Sequence, residues 1–404
     1  MSSRLKILVV TSSTCLVILF LFGSMMSKGA PSPAAEDTTP GVYRHIAVFT
    51  EVLTRIKSEY VEEPDMKNVT LGAMNGLLES IDPYASYLNA DQYKEYLKNF
   101  DSYKGDLGLV LAKKFGYIAV VASVPGSPAA KAGLATGDMI ETIKGIATRD
   151  MPLAYASLLL KGAPGSSIEI SVLQRRPEPH KLTLERTVIQ YPAVEEKMLP
   201  EGIGYLRPDS LGMGKVKEVA NDIADLQKKG AKKLVLDLRN CAVGTPEDGI
   251  ELANLFMKSG EITHAQGQKF PKQEFQAKAE AAVTQLPLVV ITNRGTASAA
   301  EVAAAALQDS SRADLVGERT YGDASIRRAV TMDDGSAIIL SVAKYYSPSG
   351  KSIQDDGVTP KTLMAQPEVT PDIDEESDAA APEPVKKPTE DLLLKKAVEL
   401  VSAK

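Results

Sequence analysis

The chain of 404 residues contains no tryptophan, two cysteines and three histidines, and its aromatic residues amount to 5%. Each scarcity excludes something. His45, His180 and His264 are scattered without metal-ligand spacing, so no metal centre and no cofactor are expected. Cys15 lies inside an N-terminal apolar run, far from Cys241, which argues against a structural disulfide. Basic residues form no cluster and the formal charge is -6, so no nucleic-acid partner is expected. At this length the chain has room for two or three domains, each with its own core.

Composition divides the chain. Arg4 and Lys6 precede Ile7-Leu8-Val9-Val10 and a second apolar run from Cys15 to Phe22. A positive flank before an apolar stretch reads as an export signal or single membrane anchor over residues 1–28. That reading implies association of the N-terminus with a membrane and a place in the cell envelope, on the periplasmic side. Residues 29–40 form a Pro/Ala linker. From 41 to 98, Val48-Phe49, Val52-Leu53, Ile56 and Leu71 to Leu78 recur at helical spacing, which predicts a small helical domain. Residues 99–187 change to short strands and glycine-rich turns. Residues 188–365 alternate strand and helix patterns, so a mostly parallel sheet with function at strand ends is expected. Residues 366–388 are acidic and rich in Pro and Ala, a solvated linker. Over 389–404, Leu393, Leu394, Ala397, Val398 and Val401 predict an amphipathic helix that docks on its own chain or on a partner.

The stretch Leu286 to Val330 concentrates the chemistry. Leu288-Val289-Val290-Ile291-Thr292 reads as a buried strand, Asn293-Arg294-Gly295 as a turn, and Ala297 to Gln308 as an alanine-rich helix. Ser298 thus stands where strand feeds helix, beside unpaired N–H groups and a positive dipole end. A nucleophilic serine gains most there, because the same N–H groups can stabilise an oxyanion. Ser298-Ala299-Ala300-Glu301 also fits a capping box, in which Ser298 only caps the helix. Local pattern leaves both readings open.

Motifs elsewhere bear on the choice. The run from Lys104 to Leu184, with SPAAKAGLATGDMIETIKG as its most specific part, resembles a PDZ domain of the bacterial type. Leu78-Glu79-Ser80-Ile81-Asp82-Pro83, LVLDLRN, TASAAEVAAAALQD, VGERTYG and Ala343-Lys344-Tyr345-Tyr346-Ser347-Pro348-Ser349-Gly350 follow in an order that resembles the carboxy-terminal processing peptidases, or tail-specific serine proteases. The resemblance covers Val42 to Val358. It implies a multidomain α/β plus PDZ fold: an N-terminal helical segment, a β-rich PDZ domain and an α/β serine-peptidase core with a mostly parallel sheet. It implies Ser298 as nucleophile, and a PDZ loop Asp106-Leu107-Gly108-Leu109 that holds a peptide's terminal carboxylate while the peptide adds a strand. The negative charge of Asp106 is expected to weaken that binding.

The chain departs from the family where the chemistry lies. Family members pair the serine with a neutral lysine after the Thr-Tyr-Gly motif and orient that lysine with a glutamine four residues on. Here those positions hold Asp323 and Arg327. Residues four apart on a strand face one side, so the two are expected to pair with each other. Arginine stays protonated, and an ionised aspartate beside it is a poor base. The family's Pro-Gly-Gly oxyanion turn reads Asn240-Cys241-Ala242-Val243-Gly244, and Val243 resists the positive φ a glycine would take. The oxyanion donors expected by resemblance are Ala299, Val243 and Gly244, and Asp309 is expected to support the helix end. Lys344, His264 and Cys241 are the candidate substitute groups; His264 reads as a solvated loop residue and Cys241 as a small core residue.

Two functions follow from these residues. One is an envelope pseudopeptidase that binds protein C-terminal tails or unfolded proteins, alone or in an oligomer with copies of itself or active relatives. The other is a working tail-specific endopeptidase that uses Ser298 with a substitute base.

Overall fold

The structure, a computed structural model, describes residues 39–149, 151–174, 178–366 and 390–404. The expectations for 1–28, for the linker up to 38 and for the acidic linker within 367–389 lie outside the described residues. No helix among the described residues is long and apolar enough to cross a membrane.

The chain forms two compact units, one ending at Val69 and one running from Thr70 to Lys404. The boundary between them falls within the stretch 41–98. Helix Thr39–Glu59 lies in the first unit, and its apolar positions Tyr43, Ile46, Val48 and Val52 are exposed. Residues 70–98 belong instead with the second unit, where they hold a short strand, Ser86–Leu88, and a capped helix, Ala90–Asn99. The three-residue strand is too short to leave a period in the sequence.

Three sheets build the second unit. The PDZ sheet runs in the order Leu109–Lys114, Tyr117–Ser123, Met139–Ile143, Ser167–Leu173, His180–Glu185, all antiparallel. Its core residues, among them Leu107, Ile118, Ile140 and Ile170, share one cluster with Tyr84, Ala242 and Ala297. The peptidase sheet runs Thr362–Leu363, Asp314–Gly317, Leu288–Thr292, Lys233–Asp237, Ile203–Arg207, Glu195–Leu199. Every pair in it is parallel except the last. Leu288–Thr292 is apolar up to its last residue, and its neighbour Lys233–Asp237 is apolar between its charged ends, because helices cover both faces. Helices Lys215–Lys228, Pro246–Asn254 and Ala299–Asp309 contribute to the larger core, and helix Leu392–Ser402 to the smaller one.

The third sheet is antiparallel. Ile338 to Val342 lies in it and not in the parallel series. It belongs to Ala337–Tyr346, which pairs antiparallel with Ser86–Leu88, Glu261–Gln266 and Ser325–Thr331. An apolar run carries no mark of which sheet it will join.

Candidate active site

Ser298 is set by the strand before it and the helix after it. Strand Leu288–Thr292 is wholly buried and ends in a turn tied to the neighbouring strand end. Asn293 Oδ1 accepts from Asn240 N at 2.9 Å and Gly295 N at 3.0 Å, while Thr296 Oγ1 donates to Leu238 O at 2.8 Å. Ser298 follows with φ 54° and ψ -119°, a backbone conformation that costs a non-glycine residue on the order of 1–3 kcal/mol. It stands at the N-cap of helix Ala299–Asp309, and its N–H donates to Glu301 Oε2 at 3.0 Å. The Ser298 hydroxyl itself turns away and donates to Gly244 O at 3.2 Å.

That contact defines the facing loop. Val243 O accepts from Leu211 N at 2.8 Å, which holds the loop down. The positive φ falls on Gly244, at 145°, and not on Val243. A side chain at Gly244 would stand 3.0 Å from Ala299 Cβ, so the loop lies hard against the buried first turn of the helix. Toward the serine hydroxyl the loop therefore presents a carbonyl oxygen, which orients the hydroxyl but cannot take its proton.

Asp323 and Arg327, expected in place of the family's lysine and glutamine, form an ion pair with each other. Arg327 Nη2 donates to Asp323 Oδ1, with the two side chains 30% and 18% exposed, so water is largely kept from the carboxylate. Strand Ser325–Thr331 begins after Asp323 and has a register irregularity between Ile326 and Arg327. The guanidinium lies over the Tyr84 ring, 4.0 Å from its centroid. Burial and the nearby Asp323 hold the Tyr84 hydroxyl neutral, its pKa raised far above the usual phenol range, and burial pushes Tyr321 up to about 12.

Beneath these groups lies Glu301, fully buried. Its carboxylate accepts from Ser298 N, from Gly322 N at 2.6 Å, from Asp323 N at 2.8 Å and from the Thr320 hydroxyl. Burial pushes its pKa up to about 7, against these donors, which favour the ionised form. One side chain thus fixes the backbone at the nucleophile position and at the position facing it.

The other candidates have partners of their own. Lys344 Nζ donates to Asp355 Oδ2 at 2.7 Å, and that hydrogen bond raises its pKa, so it stays a cation. His264 is not a solvated loop residue: it is 9% exposed on strand Glu261–Gln266, 2.6 Å from Glu261 Oε1 and stacked on Tyr346. Cys241 is wholly buried, which pushes its thiol well above the usual range. Asp309 closes the helix and accepts from Ser349 N at 3.1 Å. Burial opposes its charge, but hydrogen bonds from Ser347 and Ser349 leave its pKa below the usual carboxylate range. In the PDZ loop, Leu107 and Gly108 are buried and Asp106 and Leu109 half-buried, and the loop runs into edge strand Leu109–Lys114.

Comparison with known proteins agrees with this architecture. The carboxy-terminal processing protease CtpA of Bacillus subtilis is 31% identical over 374 residues, 91% of this chain and 79% of that protein. The chain belongs to the carboxy-terminal processing proteases of peptidase family S41. The family S41 pattern matches residues 202–364 and a PDZ pattern matches residues 120–174. A carboxy-terminal-processing protease of Bartonella bacilliformis is 32% identical over 87% of this chain and 83% of its own length. Among solved structures, the photosystem II D1 C-terminal processing protease superimposes with a TM-score of 0.65 at 26% identity, covering 79% of this chain and 92% of that one.

Within this S41 chain the structure brings Ser298, Ala299, Gly244, Asp323 and Arg327 to one place, with Tyr84, Tyr321 and Glu301. The sequence offered Glu301 only as the capping-box partner of Ser298, a contact its carboxylate does make with Ser298 N, and Tyr321 only within the VGERTYG motif; Tyr84 was not singled out. For the burial of Glu301 the available signal was a carboxylate embedded in a run of alanines too apolar for a solvated helix face.

Proposed function

We propose that this chain is a peptide-binding member of its family whose serine site cleaves weakly or not at all. The pairing of Asp323 with Arg327 carries the reading. The group facing the serine site is an acceptor already bound to a permanent cation, and the proton of the Ser298 hydroxyl points at a carbonyl instead. Loss of a general base typically costs roughly 10²–10⁴-fold in rate. The ligands, on this reading, are protein tails or unfolded segments that add a strand to the PDZ sheet. Arg4 and Lys6 before the apolar N-terminal run support a location at the cell envelope.

The test is turnover of an unfolded protein with an apolar C-terminal tail. Wild type is expected to match Ser298→Ala, while Asp323→Lys combined with Arg327→Gln is expected to gain cleavage that depends on Ser298. Cleavage by wild type that disappears in Ser298→Ala overturns the reading and makes the chain an endopeptidase with a substitute base.

A further inference from the structure

The PDZ loop holds an acid where it should receive one. Gly108 N donates to Asp106 Oδ1 at 2.9 Å, so a carboxylate of this chain already occupies a backbone donor of the loop. We propose that Asp106 makes the groove a reader of extended segments whether or not they end in a free carboxylate. The inference rests on the peptide-binding reading above and names the chemistry of the ligand.

Four observations carry it. First, Asp106 is fixed: its N–H and carbonyl both pair with Thr187, at 2.9 and 3.0 Å, so the side chain leaves from a clamped backbone. Second, Gly108 has no freedom to re-aim its N–H. Its φ is +78°, and a Cβ there would stand 2.4 Å from Ser127 Cβ. Third, the buried cation beside Asp106 is already committed. Arg186 donates to Leu160 O at 2.7 Å, Leu159 O at 2.9 Å, Ser166 Oγ at 3.1 Å and Ser167 O at 3.3 Å. A second carboxylate in this loop would therefore meet the like charge of Asp106, which already shares the field of Arg186, and would find the Arg186 N–H groups spent on neutral oxygens. Fourth, the groove's other means of binding remains. Strand Leu109–Lys114 is the last strand of its sheet, and its outer edge pairs with no strand among the described residues. Leu109, Val110 and Leu111 are half-buried beside helix Leu153–Leu160. Backbone pairing at such an edge selects an extended conformation, and apolar pockets select side chains; neither needs a chain terminus.

The experiment uses the full chain and one short apolar peptide sequence, fluorescently labelled, made with a free C-terminal carboxylate and with a C-terminal amide. Wild type is expected to bind both with Kd values within about 2-fold, while Asp106→Gly prefers the free carboxylate by roughly 10-fold or more, the amide being unchanged. Asp106→Asn keeps a side-chain acceptor for Gly108 N without the charge, guards against misfolding, and is expected to fall between the two. A wild type that prefers the free carboxylate by about 10-fold, or variants that bind with the wild-type ratio, overturns the assignment of Asp106 and leaves peptide binding standing. If neither peptide binds wild type or either variant, the peptide-binding reading fails and this inference falls with it.

Discussion

At Glu301 two opposing effects meet in one side chain. Full burial favours the neutral acid, four donors favour the carboxylate, and the outcome is a pKa of about 7 against an ordinary 4.5. The folded-state value is raised, so this group's contribution to stability is fully present below about 4.5 and is lost as the pH rises through about 7. The size is on the order of 3 kcal/mol. In Glu301→Gln that term is absent, and the substituted amide turns two donor hydrogens toward other donors. The variant is therefore less stable than wild type, and the gap in urea midpoint narrows between pH 5 and pH 8. Midpoints measured at both pH values check this; a gap that does not change with pH contradicts it. The pairing of Asp323 with Arg327 matches the expectation from a spacing of four residues, but not by its reason: Asp323 precedes strand Ser325–Thr331, and the irregularity between Ile326 and Arg327 breaks the alternation that would put both on one face. The direction of the Gly244 carbonyl was not legible, since it is set by Leu211, more than thirty residues away in sequence, holding Val243.

The C-terminal helix, Leu392–Ser402, shows how much one element adds to the site's support. Its apolar spacing predicted an amphipathic helix but left open what it covers. It buries Leu393, Ala397 and Val401 among Ile203, Val235, Val289, Ile291 and Val316, on the sheet whose strands lead to the serine. Its N-cap residue, Asp391, receives Arg239 Nη1 at 3.0 Å and Nη2 at 2.7 Å, and Arg239 also binds the buried Asp237. Burial alone would raise the Asp391 pKa, but Arg239 holds it below the usual carboxylate range. The helix thus grips the start of the loop that continues through Val243 to Gly244. Leu393→Ala is expected to destabilise the chain by about 2–5 kcal/mol, as a fully buried leucine does elsewhere, whereas the half-buried Leu394→Ala costs clearly less. Urea unfolding of the two variants decides; equal small effects would mean that the helix does not dock. The helix is legible because periodicity is local; its partner is not, because the strands it covers lie far away along the chain.

Across the whole molecule the scaffold of a carboxy-terminal processing protease is kept, and the proposed function rests on Asp323 and Arg327 standing where its proton-transfer pair is expected. Tyr84, Ala242, Ala297 and Tyr321 join the PDZ core to the serine loop in one apolar cluster, and the parallel sheet delivers Ser298 at a strand end. Strand Leu288–Thr292, its turn and its helix were readable because burial on both faces writes itself as an unbroken apolar run. The division of residues 41–98 between two units was not readable, since a helix interior looks the same on either side of such a boundary. The central claim is that Ser298 is held in a nucleophile's place without a base. Intact-mass measurement of fluorophosphonate labelling at Ser298 tests it most directly, because it needs neither a substrate nor the PDZ domain. Wild type is expected to label no faster than Ser298→Ala, and Asp323→Lys with Arg327→Gln to label at Ser298. Rapid labelling of wild type that is abolished in Ser298→Ala would contradict the account.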